Sequence, residues 1–219
     1  MNMTDIVSAS GFTTSRTFNR AFLKIMGEIR KLSPVMIVIG VLAESAEAFY
    51  KVREKLSLIY GQEETFLEPF DFTFTNYYVN EIGQNPVRAF IAYETLINRD
   101  EIPSIKLHTN EMELEIAEAN GTPGVRPVNL DPGYMTLGQF FLATTKDQRQ
   151  RVYVRDGIFV EPTLYFEAGH FHAFDWTYRD YQSEKYISFL ENVRSRLAFQ
   201  LSTKVPYRLR ATLQKNFKK

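Results

Sequence analysis

The sequence predicts an α+β fold: a ferredoxin-like β-α-β-β-α-β core, extended by a C-terminal antiparallel β-meander and a closing helix. Three observations predict it. Val35 to Leu42 (VMIVIGVL) is rich in consecutive β-branched residues, the mark of a strand covered on both faces. Two amphipathic stretches follow, separated by extended segments and each ended by a glycine, at Gly61 and Gly121. Beyond Arg151, short apolar runs are divided by Asp156-Gly157 and Ala168-Gly169, pairs suited to tight hairpins.

Each element has a local reason. Residues 1–15 are polar and aperiodic and predict no packed element. Over 15–32, Phe18, Ala21, Phe22, Ile25, Met26 and Ile29 share a helical face with Arg16, Arg20, Lys24 and Arg30 off it. Residues 1–33 are therefore an N-terminal extension carrying a basic amphipathic helix, residues 34–201 a single domain, and residues 202–219 a basic tail. After the first strand, Glu44 and Ser45 open a helix with Ala46, Phe49, Tyr50, Val52, Leu56 and Ile59 at helical spacing. A strand over 66–72 contains Pro69, which places it at a sheet edge or kinks it. Val87 to Glu94 is the third strand, and Pro103 suits the first turn of a helix closing near Asn120-Gly121. Val125 to Leu130 is the fourth strand, ended by the turn chemistry of Asp131-Pro132-Gly133. The segment TLGQFFLATTK after it predicts a short helix. Strands over 151–154, 158–166 and 171–174 form the meander, and Tyr186, Phe189, Leu190, Val193 and Leu197 mark the closing helix over 183–201.

Composition narrows the function. The chain of 219 residues is 44% hydrophobic and 24% charged, within the range of globular proteins, and its formal net charge is +0. Bulk electrostatics therefore do not make it a polyanion binder. With no cysteine, disulfides, thiolate metal sites and a thiol nucleophile are excluded. The longest apolar run, Val35 to Ala43, is about half of what spans a bilayer, and the first thirty residues lack the apolar block of a secretory signal. The expected location is cytoplasmic. After Glu191 no acidic residue occurs while eight basic ones follow. Such a tail either contacts nucleic acid or an anionic surface or is a solvated helix end and frayed terminus, and the 15–32 helix packs on the body, pairs with a second copy or touches a membrane surface.

A family resemblance covers residues from about 35 to 193. It rests on PFDFT with the following tyrosine pair (Pro69 to Tyr78), IKLHTNEME (Ile105 to Glu113), VNLDPGYMTL, LATTKD, DGIFVE (Asp156 to Glu161) and WTYRDY (Trp176 to Tyr181). With these motifs in order, the chain resembles a bacterial family filed as domain of unknown function 4416. The resemblance names a family and no chemistry. The chain departs from it at Gln150, where the family pattern is expected to carry His.

The candidate site gathers around VNLDPGYMTLGQFFLATTKD, Val128 to Asp147. A pocket beside the end of the 125–130 strand is expected to take a small anionic ligand, either as a binding protein or as an enzyme. Asp131, Lys146, Asp147 and Glu161 are the candidates for acid–base or charge work, because carboxylates brought together shift one another's ionisation. Asn129, Tyr134, Lys106, Asn110 and Thr145 are the candidate ligand-binding residues: Lys106 and Lys146 for the anion, Asp131 and Asp147 to orient it, Tyr134 to cover it. Tyr77, Tyr78, Trp176, Tyr178 and Tyr181 are further aromatics able to line a cleft or a core. VNLDPG is similar to a segment of GPN-loop GTPases, but no Gly-Lys pair occurs, so no P-loop can wrap a phosphate. His170 and His172, two apart on a strand, point the same way and with Glu161 or Glu167 form a weak metal candidate. No cofactor is specified. The alternative function is a non-catalytic interaction module, able to form a homo-oligomer such as a dimer, that binds a protein partner or RNA through the N-terminal helix and the basic tail.

Overall fold

The computed structural model describes residues 32–75, 78, 81–121 and 125–203. Residues 15–31 of the expected N-terminal helix, the basic tail from 204 onward and Tyr77 lie outside them. The elements run β1 (Val35–Ala43), α1 (Ala46–Tyr60), β2 (Glu63–Asp71), β3 (Val87–Ile97), α2 (Ile102–Asn120), β4 (Val128–Met135), β5 (Gln139–Thr144), β6 (Val152–Arg155), β7 (Ile158–Glu167), β8 (His170–Ala173) and α3 (Glu184–Ser202). The fold is α+β, with an antiparallel sheet and these three helices. Among the described residues no helix is long and apolar enough to cross a membrane.

Local chemistry accounts for the boundaries. Ser45 caps α1 by accepting the Ala48 amide, a bond worth about 1 kcal/mol. Gly61 (φ 93°) and Gly121 (φ 69°) end α1 and α2 in conformations that suit glycine. Asp156 and Gly157 both have positive φ, as a two-residue hairpin turn requires, and so do Ala168 and Gly169. β2 is an edge strand, and its register with β3 shifts between Leu67 and Phe70, around Pro69.

The architecture departs from the expected ferredoxin-like core with a separate meander. Among the described residues, all strands join one eight-stranded sheet in the order β2-β3-β1-β4-β5-β7-β6, with β8 also paired to β7. The bridge between its halves is β5, where a helix was expected. Phe140 and Leu142 enter one hydrophobic core and Ala143 the other. Burial on both faces removes the alternation that identifies a strand in sequence.

Two cores sandwich the sheet. Odd-numbered β1 residues (Val35, Ile37, Ile39, Val41, Ala43) meet Phe49, Val52, Leu56 and Tyr60 of α1 and Ile102, Ile105 and Met112 of α2. Met36 and Val38 face the other way, with Phe90 and Phe140, onto Tyr186, Phe189, Leu190, Val193 and Leu197 of α3. The closing helix thus covers the face that α1 and α2 leave bare.

A second departure positions the site. The turn expected at Asp131-Pro132-Gly133 does not form, and β4 runs straight through it, paired with β1 from Val128 to Met135. On its other side β4 pairs with β5 over only Gly133↔Leu142, Tyr134↔Phe141 and Met135↔Phe140. Pro132 is tolerated inside the sheet because it lies where β5 has already left, so its missing N–H costs no ladder bond.

Candidate functional site: a cleft where the sheet divides

β4 and β5 approach closely at Gly133 and then diverge. A Cβ on Gly133 would stand 3.0 Å from Phe140 and 3.2 Å from Leu142, and closer still to the Phe141 carbonyl oxygen. Only glycine allows the strands to touch there and part beyond. The divergence leaves the β4 backbone without a partner strand, and buried peptide groups must be satisfied. Helix α2 supplies what β5 does not. The Glu113 carboxylate accepts the Leu130 amide at 2.7 Å, and the Lys106 ammonium donates to the Leu130 carbonyl at 2.8 Å. Lys106, Asn110 and Glu113 recur at i, i+4 and i+7, so one helical face carries all three.

Between the strands is a cavity of about 1100 Å³. Lys106, Asn110, Glu113, Asn129, Asp131, Thr145, Lys146 and Glu161 line it. Seven of these, all but Glu113, are sequence candidates that the structure brings together. Two others lie elsewhere. Tyr134 does not cover the cavity but stacks on Phe141, ring centres 4.8 Å apart, because β4 continues where a turn was expected. Asp147 is exposed and does not line the cavity. Of the other aromatics, Tyr78, Tyr178 and Tyr181 line it, whereas Trp176 stacks on Phe174 and donates to the Pro162 carbonyl.

Arg88, Arg126, Arg151, Asp180 and Tyr181 complete the wall, none of them a charged-site candidate from sequence. Arg88 is buried on β3, and its guanidinium passes over Gly40 of β1, where a Cβ would stand 2.8 Å from Nη2. It donates to Asp131 and to the Tyr181 hydroxyl, both at 2.9 Å, while its Nε has no partner. Arg126 bridges Glu113 and Glu81 at 2.9 Å each. Arg151 and Glu161 form a buried ion pair at 2.7 Å, each side chain 4% exposed. Gln150 donates to the same carboxylate. A lone arginine in the apolar strand VRAFIAYE was a legible signal, as was the acid-tyrosine pair of WTYRDY.

The carboxyls of this cleft are pushed in opposite directions. Burial favours the neutral form of Asp131, but Arg88 and Lys106 outweigh it and hold the group below the usual aspartate value. For Glu113 and Asp180 burial wins, against Lys106 in the first case and Arg88 in the second, and both stand above their usual values. Burial also lifts the Tyr78 phenol to about 12, so it stays protonated.

The model of a family described as "Domain of unknown function (DUF4416)" matches residues 33–197. The chain belongs to this family. The match takes in every element from β1 to the body of α3, and so the whole DUF4416 cleft. No curated protein and no solved structure matches the chain.

Metal chemistry finds little support at the histidines. His170 is exposed, with Nδ1 3.4 Å from Glu191, and His172 stacks on Tyr165 with Nε2 3.1 Å from the Glu167 carbonyl. Glu161, expected beside them, is engaged by Arg151 instead. Among the described residues no group of three or more His, Cys, Asp or Glu side chains is placed to hold a metal ion. His108 meets the Tyr60 hydroxyl at 3.2 Å, a structural contact.

Proposed function

We propose that this chain binds a small anionic ligand in the cleft between β4 and β5. The observation that carries the reading is the division of the sheet at Gly133, which opens a hollow the size of known ligand sites in the middle of a packed domain. A void serving packing alone would be apolar and small. This one is walled by Arg88, Lys106, Arg126, Lys146 and Arg151, facing carboxyls of which two are pushed toward their neutral forms. The antiparallel order β2-β3-β1-β4, with α1 and α2 against one face, supports reading residues 35–135 as a ferredoxin-like unit to which the remaining strands and α3 have been added.

The test is a thermal-shift and calorimetric screen of the full chain against inorganic phosphate, citrate, nucleotides and sugar phosphates. A ligand at a hundred times its Kd stabilises by about 2.7 kcal/mol, a rise of roughly 5–10 °C in Tm for a domain of this size. Lys146 is exposed, so Lys146→Ala is expected to fold normally and lose most of that response. If no anion raises Tm, or Lys146→Ala responds as fully as the parent, the reading is wrong.

A further inference from the structure

The two walls of the cleft differ in chemistry, and the difference names a ligand class. Resting on the anion-binding reading above, the geometry points to a phosphorylated polyol, a sugar phosphate or nucleotide, with its phosphoryl group at the turn after β5 and its hydroxyls against Asp131. The wall built from β5 to β7 presents Lys146 and Arg151 with the hydroxyls of Thr144 and Thr145, and its one lining carboxylate, Glu161, is committed to Arg151. Thr144 accepts the Lys146 amide, so the turn is already folded around its hydroxyls. Lysine and arginine beside hydroxyl donors are groups that hold phosphoryl oxygens.

The opposite wall suits hydroxyls. Asp131 is ionised and takes Arg88 on Oδ2, and a carboxylate has about four acceptor positions, so it can still receive hydroxyl protons. The Tyr181 hydroxyl accepts from Arg88, which leaves its own proton for another acceptor. The buried Arg88 Nε has no partner at all. A second anion placed here would meet the Asp131 charge, whereas a hydroxyl would not. The two walls also stand opposite one another. Gly133 pairs with Leu142, and the same register carried forward would set Asp131 against Thr144 across the gap. A molecule spanning the gap therefore touches both chemistries.

The experiment is calorimetric titration of the full chain with ribose 5-phosphate, glucose 6-phosphate and adenosine monophosphate. Ribose, glucose, adenosine, inorganic phosphate and citrate are titrated beside them. At least one phosphorylated polyol should bind tenfold or more tighter than both its unphosphorylated counterpart and the two simple anions. Lys146→Ala should then weaken the phosphorylated ligand tenfold or more and leave the parent sugar or nucleoside unchanged. Asp131→Asn should weaken both, and Tyr181→Phe, which keeps the buried ring, serves the same purpose if Asp131→Asn does not fold. Citrate or phosphate binding as tightly as every phosphorylated polyol would overturn the inference while the anion cleft stands. Silence from all anions would overturn both, and the reverse response of the Lys146 and Asp131 variants would overturn the assigned orientation.

Discussion

Gly133→Ala tests the claim that the cleft exists because two strands touch at one residue and part beyond it. The new methyl would meet Phe140 at 3.0 Å, Leu142 at 3.2 Å and the Phe141 carbonyl oxygen more closely than either. The carbonyl belongs to the backbone, so no rotamer change relieves the clash, and β4 and β5 must separate by about 1 Å. That stretches ladder bonds near 2.9 Å past the distance at which they count as bonds. The ladder is only Gly133↔Leu142, Tyr134↔Phe141 and Met135↔Phe140, and it is what joins the two halves of the sheet. Loss of two or three bonds at about 1 kcal/mol each, plus overpacking of about 1–3 kcal/mol, less up to about 1 kcal/mol from a stiffer unfolded chain, gives a net cost of roughly 2–6 kcal/mol. Urea unfolding should show this as a lower midpoint, and calorimetry as a Tm lower by about 4–24 °C. Gly138→Ala is the control: nothing lies within 4 Å of its Cβ position, so a change within about 0.5 kcal/mol is expected. Equal and small effects at the two glycines would refute the account of the divergence.

Three further outcomes follow from the same geometry. Glu113→Ala strips the buried Leu130 amide of its acceptor and removes one partner of Arg126, so it should cost about 2–4 kcal/mol in urea unfolding. Glu113→Gln keeps an acceptor and should cost visibly less; equal costs would mean the carboxylate does not stand in for β5. Arg151→Met or Glu161→Met alone leaves a buried charge unpaired and should cost about 3–5 kcal/mol, while the double variant should cost less than either single one. Additive losses in that cycle would remove the case for a coupled pair. Asp180 has a folded-state pKa above its usual value, so the folded chain binds its proton more tightly than the unfolded chain. Its contribution is therefore most favourable at low pH and is lost as pH rises from the ordinary aspartate range through the raised value. Asp180→Asn should match the parent in acid and gain in relative Tm as pH rises toward neutrality; a gain that grows toward acid would reverse the assignment.

Much of the fold was legible because its signals are local. The residues marking one face of the closing helix from sequence, Tyr186, Phe189, Leu190, Val193 and Leu197, are those that α3 buries. Pro69 pointed to an edge or kinked strand, and the Asp-Gly and Ala-Gly pairs to hairpins. What failed was the reading of β5 and of Asp131-Pro132-Gly133, for a shared reason. A strand buried on both faces shows no alternation, and a Pro-Gly pair is turn chemistry unless a neighbouring strand happens to be missing at that point. Neither fact is visible within a short window of sequence.

The same reasoning explains why some of the residues that line the cleft were legible and others were not. Asn129, Asp131, Thr145 and Lys146 were legible as polar residues flanking apolar strand segments, and they do reach one cavity. Arg88 stood out in its apolar strand, but its role did not, because that role depends on Gly40 two positions short of its β1 partner, Leu42, and on an aspartate one strand further on. Glu113 and Lys106 acquire their role only once β5 has diverged and left the Leu130 peptide groups to be satisfied. A site built to fill the place of a missing strand is specified by the topology, which no short window of sequence shows. The ion pairs that line the cleft are for this reason also structural supports of the β4 edge. Substitutions there must be judged on ligand affinity and stability together, and Lys146, exposed at the mouth, is the position where the two separate most cleanly.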